Sequence, residues 1–325
     1  INTYLSQTGI KGIANLWRLD MFKTMNESLE KRFSSDKLIQ LFNRYATYNG
    51  SNPYQAPATL NVIPHLEFHY GAYLPKKGMR AIAEIIHEQA IRLGVVFKFN
   101  STVKNVRKKS DQIVGIQVDS GVEHPCDVCV SDVDAKVLYR NLLKTEVPKK
   151  IAKAENSSSA LIFYWGVKQS FENLDVHNIL FSRNYREEFN HLFEHRTIQS
   201  DPTVYIHISS KVIQDDAPEG CENWFVMINA PHNNGQDWEA FRAEAREKII
   251  QKINTVLQTD ISPLIETEDY LDPILIEQRT SSDKGSLYGS SSNDRMSAFF
   301  RQANFTSSYK NLYFCGGSVH PGGGI

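Results

Sequence analysis

The residues best suited to hold a ligand stand together near the end of the sequence. From Asn311 the chain runs N-L-Y-F-C-G-G-S-V-H-P-G-G-G-I, so a short apolar run delivers two glycines and then a second glycine cluster. Glycine has no Cβ, so backbone N–H groups can come close to a phosphate or a ring oxygen. The pattern predicts a strand at Leu312–Cys315 that ends in a ligand-binding turn. The glycines alone do not separate this turn from an ordinary glycine-rich loop.

Other residue types that bind metals are placed less favourably. Cys126 and Cys129 form a C-x-x-C, but the remaining two cysteines, at 221 and 315, are distant, whereas zinc wants four ligands at recognisable spacing. Packing of a strand explains the pair better than metal or redox chemistry. His65 and His69 are four residues apart, yet Pro64 argues against a helix there, so they are interpreted as hydrogen-bonded surface or cleft residues. We therefore predict no metal site.

Composition excludes several classes of protein. The 325 residues carry 36 lysines and arginines against 37 aspartates and glutamates, a net charge of -1, so nucleic acid is not an expected partner. No apolar run reaches the roughly 18 residues that a membrane span needs. Four cysteines do not make a disulfide framework, which favours a reduced, cytoplasmic setting.

The elements that must position the glycine motif change in type along the chain. From Gly78 to Leu143 the pattern is α/β, and after Pro148 it is α+β. The predicted helices are Ser35–Tyr48, a helix opened by Gly78 with Met79, Ile82, Ile85, Ile86 and Leu93 on one face, Ala135–Leu143, and Trp238–Leu257. The predicted strands are Val95–Phe99, Thr102–Arg107, Ile113–Val118, Cys126–Val130, Ala160–Val167, Thr203–Ser209 and Trp224–Ala230. Residues 51–64 hold three prolines and are predicted to be extended or turn-rich.

Five stretches, in the same order along the chain, resemble the flavin-dependent phytoene desaturase (carotenoid desaturase) family. The glycine motif is similar to the family's C-terminal flavin motif. The other four are S-N-P-Y-Q-A-P at 51–57, Y-G-A-Y-L-P-K-K-G-M at 70–79, F-N-S-T-V at 99–103 and V-S-D-V-D at 130–134. Lys77 departs from the family pattern, which has a glycine there. Lys284–Gly289 and the C-G-G at 315–317 resemble the hydroxycarotenoid 3,4-desaturase (methoxyneurosporene dehydrogenase) branch.

The resemblance implies an FAD-linked reductase/amine oxidase-like fold with a Rossmann-type FAD domain and a mixed-sheet substrate domain. The expected division is a helical, membrane-facing part at 1–75, part of the FAD domain at 76–145, the substrate domain at 146–305 and the FAD motif at 306–325. The family's first dinucleotide fingerprint, G-x-G-x-x-G, does not occur in the sequence, and Gly9 and Gly12 do not follow a strand. The FAD domain is therefore expected to be incomplete in residues 1–325, which alone should be colourless and inactive.

The resemblance also implies the residues of the site. Those expected to hold FAD are Val103, Ser131, Asp132, Gly316, Gly317, Ser318, Gly322, Gly323, Gly324 and Ile325. Those expected to meet the substrate are Tyr73, Phe163, Trp165 and His320, with Tyr164, Phe225 and Met227 as further aromatic or apolar lining. Removal of a hydride requires an electron-accepting cofactor, because no side chain accepts one. No catalytic base can be named from the sequence.

The function implied is desaturation of C–C bonds in a carotenoid or phytoene-type polyene, with hydride passing to FAD. Three alternatives stay open: a retinol saturase-like enzyme, an amine oxidase-like enzyme, and a non-catalytic carotenoid- or lipid-binding relative. An apolar carotenoid dissolved in a bilayer implies peripheral contact with the inner face of the membrane. The segment Leu16–Met25, with Trp17 and Phe22 among cations, is the predicted point of contact. The sequence does not indicate an oligomeric state.

Overall fold

A computed structural model gives the architecture of the chain. It describes residue 20 and residues 22–293 and 301–323. Within these ranges the α-helices are α1 (Met25–Glu30), α2 (Asp36–Asn43), α3 (Val62–Tyr70), α4 (Arg80–Arg92), α5 (Ala135–Val137), α6 (Lys149–Ala152), α7 (Tyr185–Asn190), α8 (Trp238–Leu257) and α9 (Pro273–Thr280). The strands are β1 (Val103–Lys109), β2 (Gln112–Val118), β3 (Glu123–Pro125), β4 (Cys129–Ser131), β5 (Ser159–Val167), β6 (His177–Leu180), β7 (Val204–Ile208), β8 (Glu222–Ala230), β9 (Ile265–Leu271) and β10 (Leu312–Phe314).

A five-stranded antiparallel sheet forms the largest layer, in the order β6-β7-β8-β5-β9. Side chains alternate between its two faces, as the pleat requires. One face packs against the long helix α8, whose Phe241, Ala245, Ile249 and Ile253 are buried with it. Asp237 begins α8 by accepting a hydrogen bond from the amide of Ala240 at 3.1 Å. The other face stays half-open and is rich in aromatic side chains.

Two small sheets form a second layer. Strands β1, β2 and β3 are antiparallel, and β10 pairs in parallel with β4. Asn311 joins the two sheets, because its side chain exchanges two 2.8 Å hydrogen bonds with the backbone of Ile113 and donates to Asp127 O at 2.7 Å. A separate hydrophobic core lies beneath them, with Leu138, Tyr139 and Phe314 among its buried members. Cys126 and Cys129 pack against this core as partly buried side chains.

The first helical part confirms one prediction and corrects another. The predicted helix from Ser35 exists as α2 followed by a 3₁₀ helix at Arg44–Asn49, and Gly50 ends it with φ 58°. The prediction that residues 51–64 lack a helix was wrong for the last part, since α3 begins at Val62. Pro64 is tolerated there because an amide in the first turn has no intrahelical partner. His65 and His69 therefore do lie on a helix, with ring centroids 5.4 Å apart.

The helix predicted after Gly78 is confirmed, but its apolar face is not buried by the described residues. Ile85, Ile86 and Leu93 are 65%, 64% and 75% exposed. The strand predicted at 95–99 is wrong, because the segment has no partner strand in the described part of the chain. Val96 and Phe99 are likewise largely exposed. The strands predicted around residues 102–118 are confirmed as the hairpin of β1 and β2.

Candidate functional site

The glycine motif follows β10 and lies against the turn that follows β4. The amide of Cys315 donates to Ser131 O at 2.9 Å, which carries the parallel pairing one residue past the strand. Gly316 then takes φ 87°, and a Cβ there would stand 3.4 Å from Asp132 O. Positive φ at this position favours glycine. The motif is therefore held against Ser131 and Asp132.

The second glycine cluster folds back onto the first. A Cβ on Gly317 would lie 3.5 Å from the Cα of Gly323, so the two backbones run side by side. Gly322 has φ 124° and faces Arg301, whose Nη1 would be 2.5 Å from an added Cβ. A side chain at Gly317 would enter the space between the two backbone segments, and one at Gly322 would collide with Arg301. The arrangement gives a cradle of exposed or partly exposed main chain.

Tyr288 closes one side of this cradle. Its ring lies between Gly50 and Gly323, because a Cβ on Gly50 would be 2.9 Å from Tyr288 Cδ2 and one on Gly323 would be 2.6 Å from Cδ1. Burial raises the pKa of Tyr288, so its hydroxyl keeps its proton at neutral pH. An aromatic ring held between two glycines is a rigid wall. Tyr288 thus connects the 50–57 segment with the C-terminal motif.

Gly289, the next residue, allows another close approach in the cluster. An added Cβ would be 2.7 Å from Ser318 Cβ and 3.4 Å from an oxygen of Asp134. Asp134 caps α5 by accepting from the amide of Lys136 at 2.8 Å, and burial raises the pKa of its carboxyl. Ser318 Oγ is buried and has no hydrogen-bond partner among the described residues. A buried hydroxyl without a partner beside a glycine cradle suits a ligand that brings its own polar atoms.

Arg301 ties these segments together. The guanidinium donates to Gly317 O at 3.1 Å, Tyr288 O at 3.0 Å and Ser290 O at 2.6 Å. Arg301 is only 8% exposed, and this burial lowers the pKa of its guanidinium. Arginine stays charged even so, because its ordinary pKa is far above neutrality. Arg301 therefore fixes three carbonyl groups and adds a positive charge beside the glycine cradle.

Hydrogen bonds from backbone amides bring three distant segments to the same point. Ser157 N donates to Gly289 O at 2.8 Å, Ser158 N to Gly50 O at 3.0 Å, and Ser292 N to Ser51 Oγ at 2.9 Å. These segments are the S-N-P-Y-Q-A-P stretch, the entry to β5 and the stretch after Lys284. Their crossing places the start of the large sheet next to the glycine motif.

The structure thus brings together the predicted residues Ser131, Asp132, Gly316, Gly317, Ser318, Gly322 and Gly323. Val103 begins β1 opposite Val118, in the sheet that Asn311 joins to β10. Gly324 and Ile325 lie outside the described residues. Sequence reasoning does not find Arg301, because no motif surrounds it. It also does not assign Tyr288 to the site, although Tyr288 lies in the Lys284–Gly289 stretch that resembles the hydroxycarotenoid desaturase branch.

The predicted substrate residues are scattered. Phe163 and Trp165 are each 1% exposed and lie in the core between the sheet and α8, not on the open face. Tyr73 is 87% exposed, and its hydroxyl donates to Tyr70 O at 2.9 Å. His320 is exposed, and its amide donates to Gln302 O at 2.8 Å.

Tyr164 and Phe225 occupy the face opposite the core. Their rings meet edge to face at 5.6 Å, and the register places Phe225 beside His207 on β7. A cavity of about 670 Å³ opens over this face, and Tyr164, Phe225 and His207 are part of its lining. The sheet therefore has an aromatic surface that is open to a ligand.

The family of the chain follows from comparison with known proteins. A family model described as flavin containing amine oxidoreductase matches residues 19–325. The chain belongs to this family. It is 47% identical over its whole length to a 1-hydroxycarotenoid 3,4-desaturase of a Flavobacterium species, of which it covers 66%. It is 30% identical over 96% of its length to a 4,4'-diapolycopene oxygenase of a Methylomonas species, covering 64% of that protein.

A phytoene desaturase of Fusarium fujikuroi is 29% identical over 96% of the chain, which covers 59% of it. The chain thus spans between 59% and 66% of the length of these relatives. The predicted resemblance to carotenoid desaturases is confirmed.

Solved structures confirm the predicted fold class. An oxidoreductase from Methanosarcina mazei has a TM-score of 0.64 at 12% identity. The match covers 98% of this chain and 70% of the Methanosarcina chain. A triple mutant of putrescine oxidase, redesigned in cofactor binding, has a TM-score of 0.58 at 11% identity. The match covers 93% of this chain and 63% of the putrescine oxidase chain. At such identities the likeness concerns the fold alone. The architecture is that of the FAD-linked amine oxidase-like proteins.

The residues of the cradle fit a flavin. Glycine at positions 316, 317, 322 and 323 places no side chain between the main chain and a ring or pyrophosphate, and Arg301 and Tyr288 occupy the Cβ directions of Gly322 and Gly323. The unpartnered hydroxyl of Ser318 can bond to a polar ring atom. FAD is the cofactor of this family, and the geometry of the described residues agrees with it.

Proposed function

We propose that the protein containing this chain is a flavin-dependent desaturase that removes two hydrogens from a C–C bond of a carotenoid. One observation supports this above the others: the glycine cradle, the Tyr288 ring and the entry to the aromatic sheet meet at one point. The 1-hydroxycarotenoid 3,4-desaturase that is 47% identical to the chain supports the same activity. The substrate class is an apolar, linear polyene.

Bound FAD would accept the hydride, because no amino-acid side chain can do so. The chain's own residues would hold it, with Gly316, Gly317, Ser318 and Gly323 against its surface and Arg301 fixing the loops around it. The positive charge of Arg301 would favour negative charge nearby. Tyr288 would limit the position of the ring on one side. We assign no residue as catalytic base.

The open face of the large sheet would orient the polyene. Tyr164 and Phe225 offer an aromatic surface, and the same strands bury Phe163 and Trp165 behind it. We therefore propose Tyr164 and Phe225 as substrate-contacting residues in place of the two buried ones. A polyene laid on this face would displace water from the reacting bond, which favours transfer of a hydride over side reactions.

Access to the substrate would be from the cytoplasmic side of a membrane. None of the described helices is long and apolar enough to cross a bilayer. Half of the predicted contact segment, including Trp17, lies outside the described residues, but Phe22 is 74% exposed. Met25, at the end of that segment, is fully buried in a small core and would not touch lipid. Phe68 on α3 is 71% exposed and extends the candidate surface.

The test uses the protein in its full natural length, purified and examined for flavin by its visible spectrum. Liposomes loaded with acyclic carotenoids would then report desaturation as a shift of polyene absorption to longer wavelength. We expect one bound flavin per protein and a polyene whose conjugation is extended. Removal of the flavin should abolish the extension of the conjugation. Flavin without any change in the polyene would redirect the proposal to an amine oxidase-like or saturase-like reaction. Polyene binding without flavin would make the protein a non-catalytic carrier.

A further inference from the structure

A buried ion pair holds the start of the stretch that carries Tyr288. Lys136 and Asp283 are only 8% and 4% exposed, and Lys136 Nζ lies 3.7 Å from Asp283 Oδ2. Asn156 Nδ2 donates to the same carboxylate oxygen at 3.0 Å, and Arg140 Nη1 donates to the other at 3.1 Å. Burial raises the pKa of Asp283, but Asn156, Lys136 and Arg140 together lower it below its ordinary value. Asp283 is therefore charged at neutral pH.

This pair joins the stretch to the turn that holds the glycine motif. Lys136 belongs to α5, which follows the turn against which Gly316 lies. Asp134 caps the same helix, and its carboxyl is 3.4 Å from the position of a Cβ on Gly289. The helix thus contacts the stretch at both ends, through Asp283 and through Gly289.

Asn156 connects the pair to the large sheet as well. Its Oδ1 accepts a hydrogen bond from Lys136 Nζ, and its Nδ2 donates to Asp283 O at 3.1 Å. The next residue, Ser157, accepts from the amide of Tyr288 at 3.0 Å through its Oγ. Both backbone segments that meet at Tyr288 are therefore held by the same buried pair.

The four residues between Asp283 and Tyr288 have little freedom to absorb a displacement. Gly285 takes φ 67°, and a Cβ there would stand 2.1 Å from Pro273 O, so the backbones are in close contact. Its carbonyl accepts from Ser159 Oγ, at the first residue of β5, at 2.6 Å. A shift of Asp283 would consequently be passed along the stretch to the ring that closes the cradle.

Stability alone does not explain a charged pair at this place. Burial of two charges carries a desolvation cost that their attraction barely offsets, and apolar side chains of similar volume often stabilise a protein as well. Charge-assisted hydrogen bonds add defined directions and short distances. The pair is suited to fixing a position, which is what the wall of a cofactor site requires.

We infer that the buried pair of Lys136 and Asp283 positions the Tyr288 ring against bound FAD, and so sets how tightly the cofactor is held. Both are positioning residues that act through Tyr288. The inference rests on the proposed function only in that FAD occupies the glycine cradle, and it requires no polyene. A protein that binds FAD as described below but desaturates nothing would refute the proposed reaction and leave the inference intact.

The experiment is a double-mutant cycle on the full-length protein, stripped of flavin and titrated with FAD. The variants are Asp283→Asn, Tyr288→Leu and the two combined. The control is Glu222→Gln, because Glu222 is 2% exposed, pairs with Lys211 at 2.6 Å and lies at the other end of β5, opposite Val167. Dissociation constants for FAD, the visible spectrum of bound FAD and thermal unfolding are recorded for each.

We expect Asp283→Asn and Tyr288→Leu each to weaken FAD binding roughly tenfold, the effect of about one lost hydrogen bond or ring contact. Once Tyr288 is replaced, Asp283→Asn should add less than about twofold, because residues that act through one another are not additive. The spectrum of FAD in Asp283→Asn should shift towards that in Tyr288→Leu. Glu222→Gln should lower the melting temperature and keep the wild-type affinity for FAD.

Two results would overturn the inference: unchanged affinity and spectrum in Asp283→Asn, or additive losses in the combined variant. A wild type that binds no FAD would overturn it together with the proposed function. If Asp283→Asn does not fold, Arg140→Gln takes its place in the cycle, because the Arg140 side chain is 57% exposed and binds the same carboxylate. Its loss of affinity should be smaller, about threefold, and should also vanish in the Tyr288→Leu background.

Discussion

Two glycines, one outside the cradle in the turn between β2 and β3 and one beside it, differ in why they must be glycine. Gly121 has φ 83° and nothing within 4 Å of an added Cβ, so only its backbone angle matters. Gly289 has φ 64° and, in addition, Ser318 so close that no Cβ fits without movement. Sequence spacing revealed the glycines at 316–324 because they are clustered. It could not show that Gly289 belongs to the same site, since that contact depends on two segments separated by almost thirty residues.

Replacement of Gly289 by alanine tests whether this close contact shapes the flavin site. The new Cβ would stand 2.7 Å from Ser318 Cβ, so Ser318 and the turn around it must shift. We expect Gly289→Ala to weaken flavin retention at least tenfold. The matched Gly121→Ala should cost only the strain of an alanine at positive φ, about 1 kcal/mol, and should keep its flavin. Flavin content and thermal unfolding of the full-length variants give the answer. Equal flavin loss in both variants would mean that Gly289 does not shape the site.

The sequence could not predict the role of Arg301 or which aromatic residues of the sheet are buried. A lone arginine carries no signal in its neighbours, and its three carbonyl partners come from segments that only the fold brings together. The aromatic runs in β5 and β8 were recognised as strands, but both faces of each strand carry aromatic rings. Alternation therefore could not tell that Phe163 lies in the core and Tyr164 at the open face.

Among the elements, helices with a clear apolar period were predicted well, whereas their burial was not. Periodicity correctly placed a helix after Gly78 and another at Trp238–Leu257. α8 buries its apolar face on the sheet, but α4 exposes Ile85 and Ile86. The segment at 95–99 has strand-like residues and no partner strand in the described part of the chain. A strand is defined by its hydrogen-bonded neighbour, which local sequence does not specify.

Helix α7 is joined to the large sheet by a carboxyl group that titrates near neutrality. Glu188 is fully buried and accepts from the amide and hydroxyl of Thr203 at 3.1 and 2.6 Å, at the entry to β7. Burial raises the pKa of Glu188 to about 7, and the bonds from Thr203 oppose this rise. The folded state therefore holds a proton that the unfolded chain has released above its ordinary pKa of 4.5.

The free energy of unfolding should consequently fall as pH rises from about 4.5 to about 7. Above about pH 7, Glu188 should add little further change. The fall amounts to about 3 kcal/mol in the free energy of unfolding. Glu188→Gln keeps an acceptor for Thr203 but cannot ionise, so urea unfolding of this variant between pH 5 and 8 should show a flatter profile. Glu187→Gln, one residue earlier on the same helix, is the control and should keep the wild-type slope. A Glu188→Gln profile as steep as the wild type would contradict the assignment.

At the scale of the whole molecule, two layers meet where the motifs converge, and exposed apolar side chains gather on the helical part of the chain. The sequence predicted both layers, because the pattern of helices and strands differs between the two parts of the chain. The comparison with solved structures confirmed the fold class. It did not predict which outer surface is apolar. In residues 20–70, Phe22 and Phe68 are both more than 70% exposed. Phe68 borders a groove of about 470 Å³, together with Phe33, Phe42 and Val62.

An exposed phenylalanine is suited to the boundary of a bilayer, and a substrate dissolved in lipid would need such a contact. We expect the double variant Phe22→Ser and Phe68→Ser to bind anionic liposomes more weakly, by roughly a hundredfold, because each ring contributes about 1.5 kcal/mol when it leaves water. Its melting temperature should stay within a few degrees, since neither ring is buried in the protein. Phe305→Ser removes a ring that is 65% exposed elsewhere and should leave liposome binding unchanged. If Phe305→Ser weakens flotation with liposomes as much as the double variant does, or if neither changes it, the membrane contact does not lie on the helical part.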